Sequence, residues 1–199
     1  MSKAPDLSSF TKEEIKSILN EIRHPLDIAV YSPGNYFNIA GIIRTAHSFL
    51  IDNIYLIDVE VENDPFYEKG TMGNHKYENI HKVTSDFFVS MIQTNNRNLI
   101  SYERRPGELS TKSSWDYAYP DHPILLFGSE KSGVPDNLLS ISKDVISIPM
   151  FGLNNDLNLG YSAGIAMYDW ISKYYNKKDN KQWTKRKISI AQNSWEKSL

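Results

Sequence analysis

The chain has 199 residues, of which 40% are hydrophobic, so it is long enough to bury a substantial core in one domain. It contains no cysteine, which excludes disulfide bonds, thiolate nucleophiles and cysteine-based zinc sites. The N-terminal residues are polar and carry acidic groups early, unlike a signal peptide. No apolar run approaches the roughly 20 residues that span a bilayer. We therefore expect a soluble, cytoplasmic protein without a membrane partner.

Charge is distributed unevenly, although the net charge is only −2. Residues 171–199 contain eight basic and two acidic residues, whereas residues 1–170 contain 14 basic and 22 acidic residues. Such asymmetry can mark a nucleic-acid contact surface, and the alternative is a solvated helical tail. Trp183 and Trp195 fit either stacking on bases or docking of the tail. We divide the chain into an N-terminal helical extension (1–25), a central domain (26–170) and a basic C-terminal tail (171–199).

The pattern of apolar residues predicts helices and short strands in alternation. A capping box from Thr11 to Glu14 predicts a first helix over 12–23. The elements predicted after it are a strand over 26–30, a helix over 39–50, a strand over 54–57, a helix over 85–93, strands over 98–102 and 123–127, a helix after Pro135, a strand over 145–148 and a helix over 160–175. Residues 60–80 are predicted to be rich in loops, and 106–120 to be an excursion from the sheet. This alternation predicts an α/β fold, with a mostly parallel sheet covered by helices on both faces.

Ligands of such sheets bind beyond the carboxyl ends of strands, which draws attention to the helix over 39–50. An apolar stripe covers one side of this helix, and Arg44 points nearly opposite to it, beside small residues that allow a ligand or a partner helix to come close. Asn38 lies at the predicted start of the helix and suits a cap. The alternative is that Arg44 is a solvated charge behind a structural cap.

A second segment follows the buried strand that ends at Phe127. Glycines at 128 and 133 permit close approach of a ligand to the backbone. The segment matches neither the Walker pattern nor the dinucleotide-binding glycine pattern. Glu130 stands at the crevice beyond the strand. Its alternative roles are to cap the following helix or to pair with a charge near Lys131.

A third segment follows the strand that ends near Ile148. It is an Asn- and Asp-rich loop that opens a helix rich in Gly and Ala. Asp156 or Asn158 suits the N-cap of that helix, and an acidic group near a helix N-terminus is favourable. Taken alone, the loop is typical of turn chemistry.

In their order and content, these three segments resemble the SpoU/TrmH family of SPOUT methyltransferases. The family has a helix with an Asn six residues before an Arg, matched by Asn38 and Arg44. Its second motif is an apolar strand ending in Gly-x-Glu, matched by 127–133. Its third motif is Ile-Pro-Met-x-Gly, a short loop and Ser-Leu-Asn, matched by 148–152 and 156–158. The resemblance covers roughly residues 26–170.

The resemblance implies an S-adenosylmethionine-dependent RNA methyltransferase that modifies a ribose 2′-hydroxyl in tRNA or rRNA, without a metal ion. It implies a deep trefoil knot over about residues 122–170, and a homodimer in which Arg44 of one subunit lies near the cofactor of the other. The cofactor would be held by backbone around a set of five residues. These are Phe127, Gly128, Ile148, Met150 and Leu157.

The resemblance also implies roles for the motif residues. A guanidinium is almost always protonated, so we expect Arg44 to position phosphate and to stabilise developing alkoxide charge rather than to act as a base. Asn38 belongs to the same motif as Arg44, and we expect it to be a catalytic residue as well. Glu130 and Asn158 would organise the site and contact the acceptor nucleotide.

One residue departs from the family pattern: Asp156 stands where the family has Ser. Beside Arg44, this carboxylate can orient or neutralise the guanidinium, or accept the hydroxyl proton. We hypothesise that it changes the handling of the substrate rather than abolishing activity. The departure also leaves open a non-catalytic RNA-binding or assembly factor on the same fold. A third alternative, an unrelated doubly wound enzyme that uses a nucleotide, is weakened by the missing phosphate-binding patterns.

Overall fold

A computed structural model describes residues 10–59, 65–104, 112–153 and 156–176. Within these residues, seven parallel strands form one sheet in the order β3-β2-β1-β6-β4-β7-β5. The strands are β1 (His24–Tyr31), β2 (Ile51–Ile57), β3 (Asn79–Val83), β4 (Leu99–Tyr102), β5 (Lys112–Ser113), β6 (Ile124–Phe127) and β7 (Asp144–Ser147). The helices are α1 (Lys12–Ile22), α2 (Tyr36–Ser48), α3 (Pro65–Thr71), α4 (Ser85–Thr94), α5 (Asp136–Leu139) and α6 (Leu159–Asn176), with a 3-10 turn at Asn74–Lys76. The predicted α/β fold with a parallel sheet is confirmed.

The sheet is buried on both faces, as the apolar strands predicted. Along β1, Ile28 and Val30 pack into one core cluster, and Ala29 packs into the other. Helices α2 and α6 close the first cluster, and α4 and α5 close the second. Side chains alternate along a strand, so a strand buried on both faces is apolar throughout. The carboxyl ends of β4, β6 and β7 face a cleft between the loops that follow the strands and the start of α6.

Helix α2 begins earlier than predicted, and its cap is a different residue. The side chain of Asn35 accepts a hydrogen bond of 2.8 Å from the backbone N–H of Phe37, and Asn35 itself has extended dihedral angles. The prediction that Asn38 caps the helix was wrong: Asn38 lies inside the first turn and is only 8% exposed. Asn35, three residues upstream, is the N-cap instead, so the Asn38 side chain is available for a contact with a distant part of the chain.

Two strands fall where no strand was predicted. Strand β3 begins at the end of the segment expected to be rich in loops and extends beyond it, and β5 lies within the expected excursion. Both are the edges of the sheet. An edge strand has one neighbour, and it needs no continuous apolar run because part of it faces solvent. Because β3 is polar, the pattern of apolar residues did not predict it.

The ends of the chain are only partly described. The capping box of α1 is present, with Thr11 and Glu14 bonded reciprocally. Helix α6 continues to Asn176, past the boundary expected at residue 170. The rest of the predicted basic tail, 177–199, lies outside the described residues, and so do Trp183 and Trp195. No helix in the described part of the chain is both long and apolar enough to cross a membrane.

Candidate active site

A cleft of about 490 Å³ lies beyond the carboxyl ends of β6, β4 and β7. Its walls are the loop after β6, the loop after β7 and the start of α6. Its lining residues are Tyr102, Glu103, Arg104, Phe127, Gly128, Ser129, Glu130, Gly133, Ser147, Ile148, Met150, Asp156, Leu157, Asn158, Leu159 and Ser162. This is the edge at which parallel sheets bind their ligands.

All five residues expected to hold the cofactor line this cleft. Phe127 and Gly128 come from the end of β6, and Ile148, Met150 and Leu157 come from the loop between β7 and α6. The two groups are about twenty residues or more apart in the chain, and the strand order brings them together. Their side chains and backbone give the cleft a partly apolar wall.

The loop from Gly128 to Gly133 folds back tightly on itself. Ser129 and Gly133 form an isolated antiparallel bridge, with backbone hydrogen bonds of 3.1 and 2.9 Å. A Cβ atom on Gly128 would lie 2.0 Å from the carbonyl carbon of Gly133, which no real structure tolerates. Gly133 has a φ of +68°, a left-handed value that glycine adopts without strain. The two glycines are therefore required by the shape of the loop.

Glu130 clamps this loop onto α2. Its Oε1 accepts a hydrogen bond of 2.5 Å from Asn38 Nδ2, and its Oε2 accepts one of 3.0 Å from the backbone N–H of Gly34. Burial raises the pKa of this carboxyl, but the hydrogen bonds from Gly34, from its own backbone and from Asn38 outweigh burial, so the pKa lies below its usual value. The alternative role as a cap of α5 was wrong, because α5 starts after Pro135 without a side-chain cap.

Asn38 and Asn158 meet at the start of α6. The Oδ1 of Asn158 accepts a hydrogen bond of 2.9 Å from the backbone N–H of Gly160, so Asn158 caps the helix as one of the sequence alternatives predicted. A Cβ on Gly160 would lie 3.3 Å from Asn158 Oδ1 and 3.5 Å from Asn38 Oδ1. Asn38, which is hydrogen-bonded to Glu130, thus lies beside the first turn of α6. Three of the predicted site residues form a cluster by proximity at this end of the sheet.

Arg44 stands apart from this cluster. It is exposed on α2, and it is not among the described residues that line the cleft. Within the described part of the chain, no hydrogen bond or ion pair engages its guanidinium. Next to it, Ala40 is buried against Gly70 of α3, whereas a Cβ on Gly41 would meet nothing within 4 Å. The open side of α2 is therefore the side that carries Arg44.

Asp156, unlike Arg44, is a residue of the cleft itself. It is exposed and lines the cavity. Among the residues that the structure describes, no ion pair joins it to Arg44, so pairing between the two is not seen within one chain. Its carboxylate makes no hydrogen bond with that part of the protein, unlike the carboxylates of Glu103 and Glu130.

Sequence reasoning missed the end of β4. Tyr102 lines the cleft and stacks on Phe127, with ring centroids 5.1 Å apart and planes 18° apart. Its hydroxyl is hydrogen-bonded to that of Tyr119, which donates a 2.7 Å bond to Asp169 of α6. Burial raises the pKa of Tyr102, so its phenol stays protonated. The apolar strand ending at Tyr102 was visible in the sequence, but only the strand order places it between β6 and β7.

The fold is that of a parallel α/β protein, with a cleft formed over glycine-containing loops at the carboxyl ends of its strands. Residues 25–168 match the model of the SpoU rRNA Methylase family. The match spans well over half of the chain, so the protein belongs to this family. The family is S-adenosylmethionine-dependent, and membership makes the chain an S-adenosylmethionine-dependent RNA methyltransferase.

Two curated relatives illustrate the range of the family. The tRNA (guanosine(18)-2′-O)-methyltransferase of Aquifex aeolicus (strain VF5) is 26% identical over 161 residues, which are 79% of this chain and 74% of that protein. The 23S rRNA (adenosine(1067)-2′-O)-methyltransferase of Streptomyces azureus is 28% identical over 138 residues, 68% of this chain and 50% of that protein. The chain therefore spans only half the length of the second relative.

Solved structures show the same fold. The A. aeolicus TrmH/SpoU tRNA modifying enzyme superposes with a TM-score of 0.71 at 19% identity, over 92% of this chain and 95% of that one. The SpoU methyltransferase AviRb from Streptomyces viridochromogenes, solved in complex with AdoMet, gives a TM-score of 0.68 at 17% identity, over 76% of this chain and 61% of that one. The shared architecture extends across the sheet and its helices.

Proposed function

We propose that the protein transfers the methyl group of S-adenosylmethionine to a ribose 2′-hydroxyl of tRNA. The observation that carries this proposal is the convergence of the five expected cofactor residues on one cleft, beside the cluster of Asn38, Glu130 and Asn158. The match to the Aquifex tRNA enzyme, which covers most of both chains, favours tRNA over rRNA. Such a substrate is consistent with the cytoplasm as the compartment.

The cleft fits S-adenosylmethionine in size and charge. Its volume of about 490 Å³ suits a nucleoside-sized ligand. Glu103, Glu130 and Asp156 line it together with one cation, Arg104. The cofactor carries a sulfonium, an ammonium and a carboxylate, so its net positive charge matches an acidic lining that also holds one arginine. Apolar surface from Phe127 and Ile148 would hold its adenine.

The cofactor, when bound, supplies a methyl group on a sulfonium that is already a strong electrophile. The protein must therefore align the ribose hydroxyl and deal with its proton. We assign to Arg44 the binding of the adjacent phosphate and the stabilisation of developing negative charge on the oxygen, because a guanidinium binds oxyanions with two parallel hydrogen bonds. Asn38 and Glu130 hold the loop in place, and Asn158 fixes the start of α6.

Asp156 is the carboxylate that we assign to the hydroxyl proton. Both oxygens of Glu130 and both of Glu103 accept hydrogen bonds from the protein. Asp156 is exposed in the same cleft, and its oxygens accept none within the described residues. A base must have a lone pair available to the substrate, which makes Asp156 the better placed of the three.

We further propose a homodimer that packs through α2 and α6. These helices contact each other, and their outer faces carry large exposed apolar side chains. The residues are Phe37 (63% exposed), Tyr161 (73%), Ile165 (44%) and Tyr168 (64%). Apolar patches of this kind mark interaction sites, and most homo-oligomers are two-fold dimers. Arg44 lies on the same face, so the partner would bring its cleft toward Arg44.

The proposal includes the deep trefoil knot over about residues 122–170 that the family resemblance implies. Knots are very rare in proteins, so the resemblance carries this part of the proposal. The strand order supports it, because β4 separates β6 from β7 and the chain must pass around β4 between them. The same proposal includes a domain over 26–170 that follows an N-terminal extension over 1–25. It also includes contact of the basic tail, 171–199, with RNA.

Purified protein and labelled S-adenosylmethionine test the proposed activity. Transcripts of tRNA and rRNA are offered separately, and the product nucleosides are identified by mass spectrometry. We expect a 2′-O-methyl nucleoside in tRNA. Label only in rRNA would overturn the tRNA assignment, and label on a base would overturn the ribose assignment. Binding of RNA without any transfer would favour the non-catalytic factor.

Substitution of Asp156 tests its assignment. Asp156→Asn keeps the volume but loses the basic oxygen, so kcat at neutral pH is expected to fall about 100-fold, within the usual range for a general base. Asp156→Ser restores the family residue and is expected to lose less. Methyl transfer to total RNA measures both variants. Unchanged turnover in both would exclude a catalytic role for Asp156.

A further inference from the structure

Glu103 lies in the middle of the cleft floor, outside the three segments that drew attention in the sequence. Strand β4 lies between β6 and β7, and Tyr102 is in register with Phe127 on one side and Ile146 on the other. Glu103 follows Tyr102 directly, and its backbone N–H donates a 3.1 Å hydrogen bond to Ile146. Glu103 is therefore held between the end of β6 and the end of β7, the two strands from which the expected cofactor loops start.

The carboxylate of Glu103 holds the backbone at the end of the glycine loop, whereas that of Glu130 binds Gly34 and Asn38 instead. Its Oε2 accepts a hydrogen bond of 2.6 Å from the backbone N–H of Val134, and its Oε1 accepts one of 3.1 Å from the backbone N–H of Arg104. A Cβ on Gly133 would lie 2.4 Å from Oε2, so the loop backbone rests directly on this carboxylate. Glu103 also lines the cleft itself.

Two carboxylates thus hold one short loop, Glu130 from within it and Glu103 at the residue that follows it. Glu130 ties the loop to α2, and Glu103 ties Val134 to the end of β4. Gly128 is packed tightly against the backbone of Gly133 and Val134, so the position of Val134 bears directly on that of Gly128. The backbone of Gly128 is part of the expected cofactor wall, so its position depends on both clamps.

We propose that Glu103 is a positioning residue that shapes the cofactor cleft by holding the backbone of Val134. This inference rests on the proposed function, since it concerns the same cleft. Loss of the acceptor is expected to loosen the 128–133 loop and to weaken cofactor binding. A hydrogen bond to a charged group is strong enough for a loss of about 10- to 100-fold in affinity.

Three variants of the full-length protein test it, with S-adenosylmethionine itself as the probe in calorimetry. Glu103→Leu removes the acceptor, and we expect the Kd for S-adenosylmethionine to rise at least about tenfold while the Kd for tRNA is unchanged. Glu103→Gln keeps an acceptor oxygen and is expected to recover most of the affinity. Glu21→Gln, an exposed acid on α1, is the matched control and is expected to behave as wild type.

A second measurement does not involve the cofactor. Amide hydrogen exchange at Val134 in the ligand-free protein is expected to be faster in Glu103→Leu and close to wild type in Glu103→Gln. Unchanged exchange and unchanged cofactor affinity in Glu103→Leu would overturn the proposal. Equal losses in the Leu and Gln variants, or parallel losses of cofactor and tRNA binding, would also overturn it. If the wild type itself binds no S-adenosylmethionine, the proposed function fails first.

Discussion

Replacement of Arg44 by alanine is expected to lower kcat for methyl transfer by about 100-fold or more, in the range seen when a group that stabilises developing charge is removed. The side chain is exposed and makes no hydrogen bond or ion pair with the described part of its own chain. The free energy of unfolding is therefore expected to change by less than about 0.5 kcal/mol. The Kd for S-adenosylmethionine is expected to stay the same, because Arg44 lies outside the cleft of its own chain.

Kinetics with purified protein, urea unfolding and calorimetry measure these three quantities. Arg44→Lys keeps the charge but loses the planar two-pronged donor, so partial activity is expected. Lys12→Ala, at the start of α1, is the matched control for loss of a surface cation. Full activity in Arg44→Ala would remove this residue from the mechanism. A parallel loss of stability would show that its role is structural.

Replacement of Gly128 by alanine is expected to raise the Kd for S-adenosylmethionine by more than about 100-fold and to destabilise the protein by about 1–3 kcal/mol. The added Cβ would lie 2.0 Å from the carbonyl carbon of Gly133 and 2.2 Å from the backbone nitrogen of Val134. These are backbone atoms in a bridged loop, so no rotation of a side chain can relieve the overlap. The loop must move, and the cofactor wall moves with it.

Calorimetry and urea unfolding check this prediction, with Gly41→Ala as the control. A Cβ on Gly41 meets nothing within 4 Å in its own chain. Gly41 is not among the described residues that line the cleft, so Gly41→Ala is expected to bind the cofactor as wild type does. Wild-type cofactor binding by Gly128→Ala would mean that the cleft is not the cofactor site.

The two variants together test the proposed dimer. A mixture of refolded Arg44→Ala and Gly128→Ala subunits contains mixed dimers in which one cleft is intact and faces an intact Arg44 from the partner. Since random pairing makes about half of the dimers mixed, recovery of about a quarter of the wild-type activity is expected. No recovery would contradict an active site shared between subunits.

Local chemistry explains which parts of the fold could be predicted. The capping box at Thr11 and Glu14, the apolar runs of β1, β4 and β6, and the small-residue helix α6 each depend on residues within a few positions of one another. Such signals can be read from neighbouring residues of the sequence. The edge strands β3 and β5 cannot be predicted in this way, because a half-solvated segment becomes a strand through its hydrogen bonds to the neighbouring strand rather than through its own composition.

The same distinction applies to the site. Asn38, Glu130 and Asn158 were selected because their motifs resemble a family, whereas the cap assigned to Asn38 was wrong because Asn35 was nearer to the first free N–H groups. The side chain released in this way makes the bond to Glu130, 92 residues away in the chain. No local pattern contains that contact.

Local patterns were therefore sufficient to predict the class of fold, the family and the strand ends from which the cofactor cleft is built. Hydrophobic periodicity and short motifs depend on neighbouring residues, so they can be read without the order of the strands. The placement of β4 between β6 and β7, which puts Glu103 at the cleft, could not be read in this way, and neither could the position of Arg44 outside its own cleft. Strand order depends on contacts between distant parts of the chain, and these contacts are made only when the whole sheet packs between its helices.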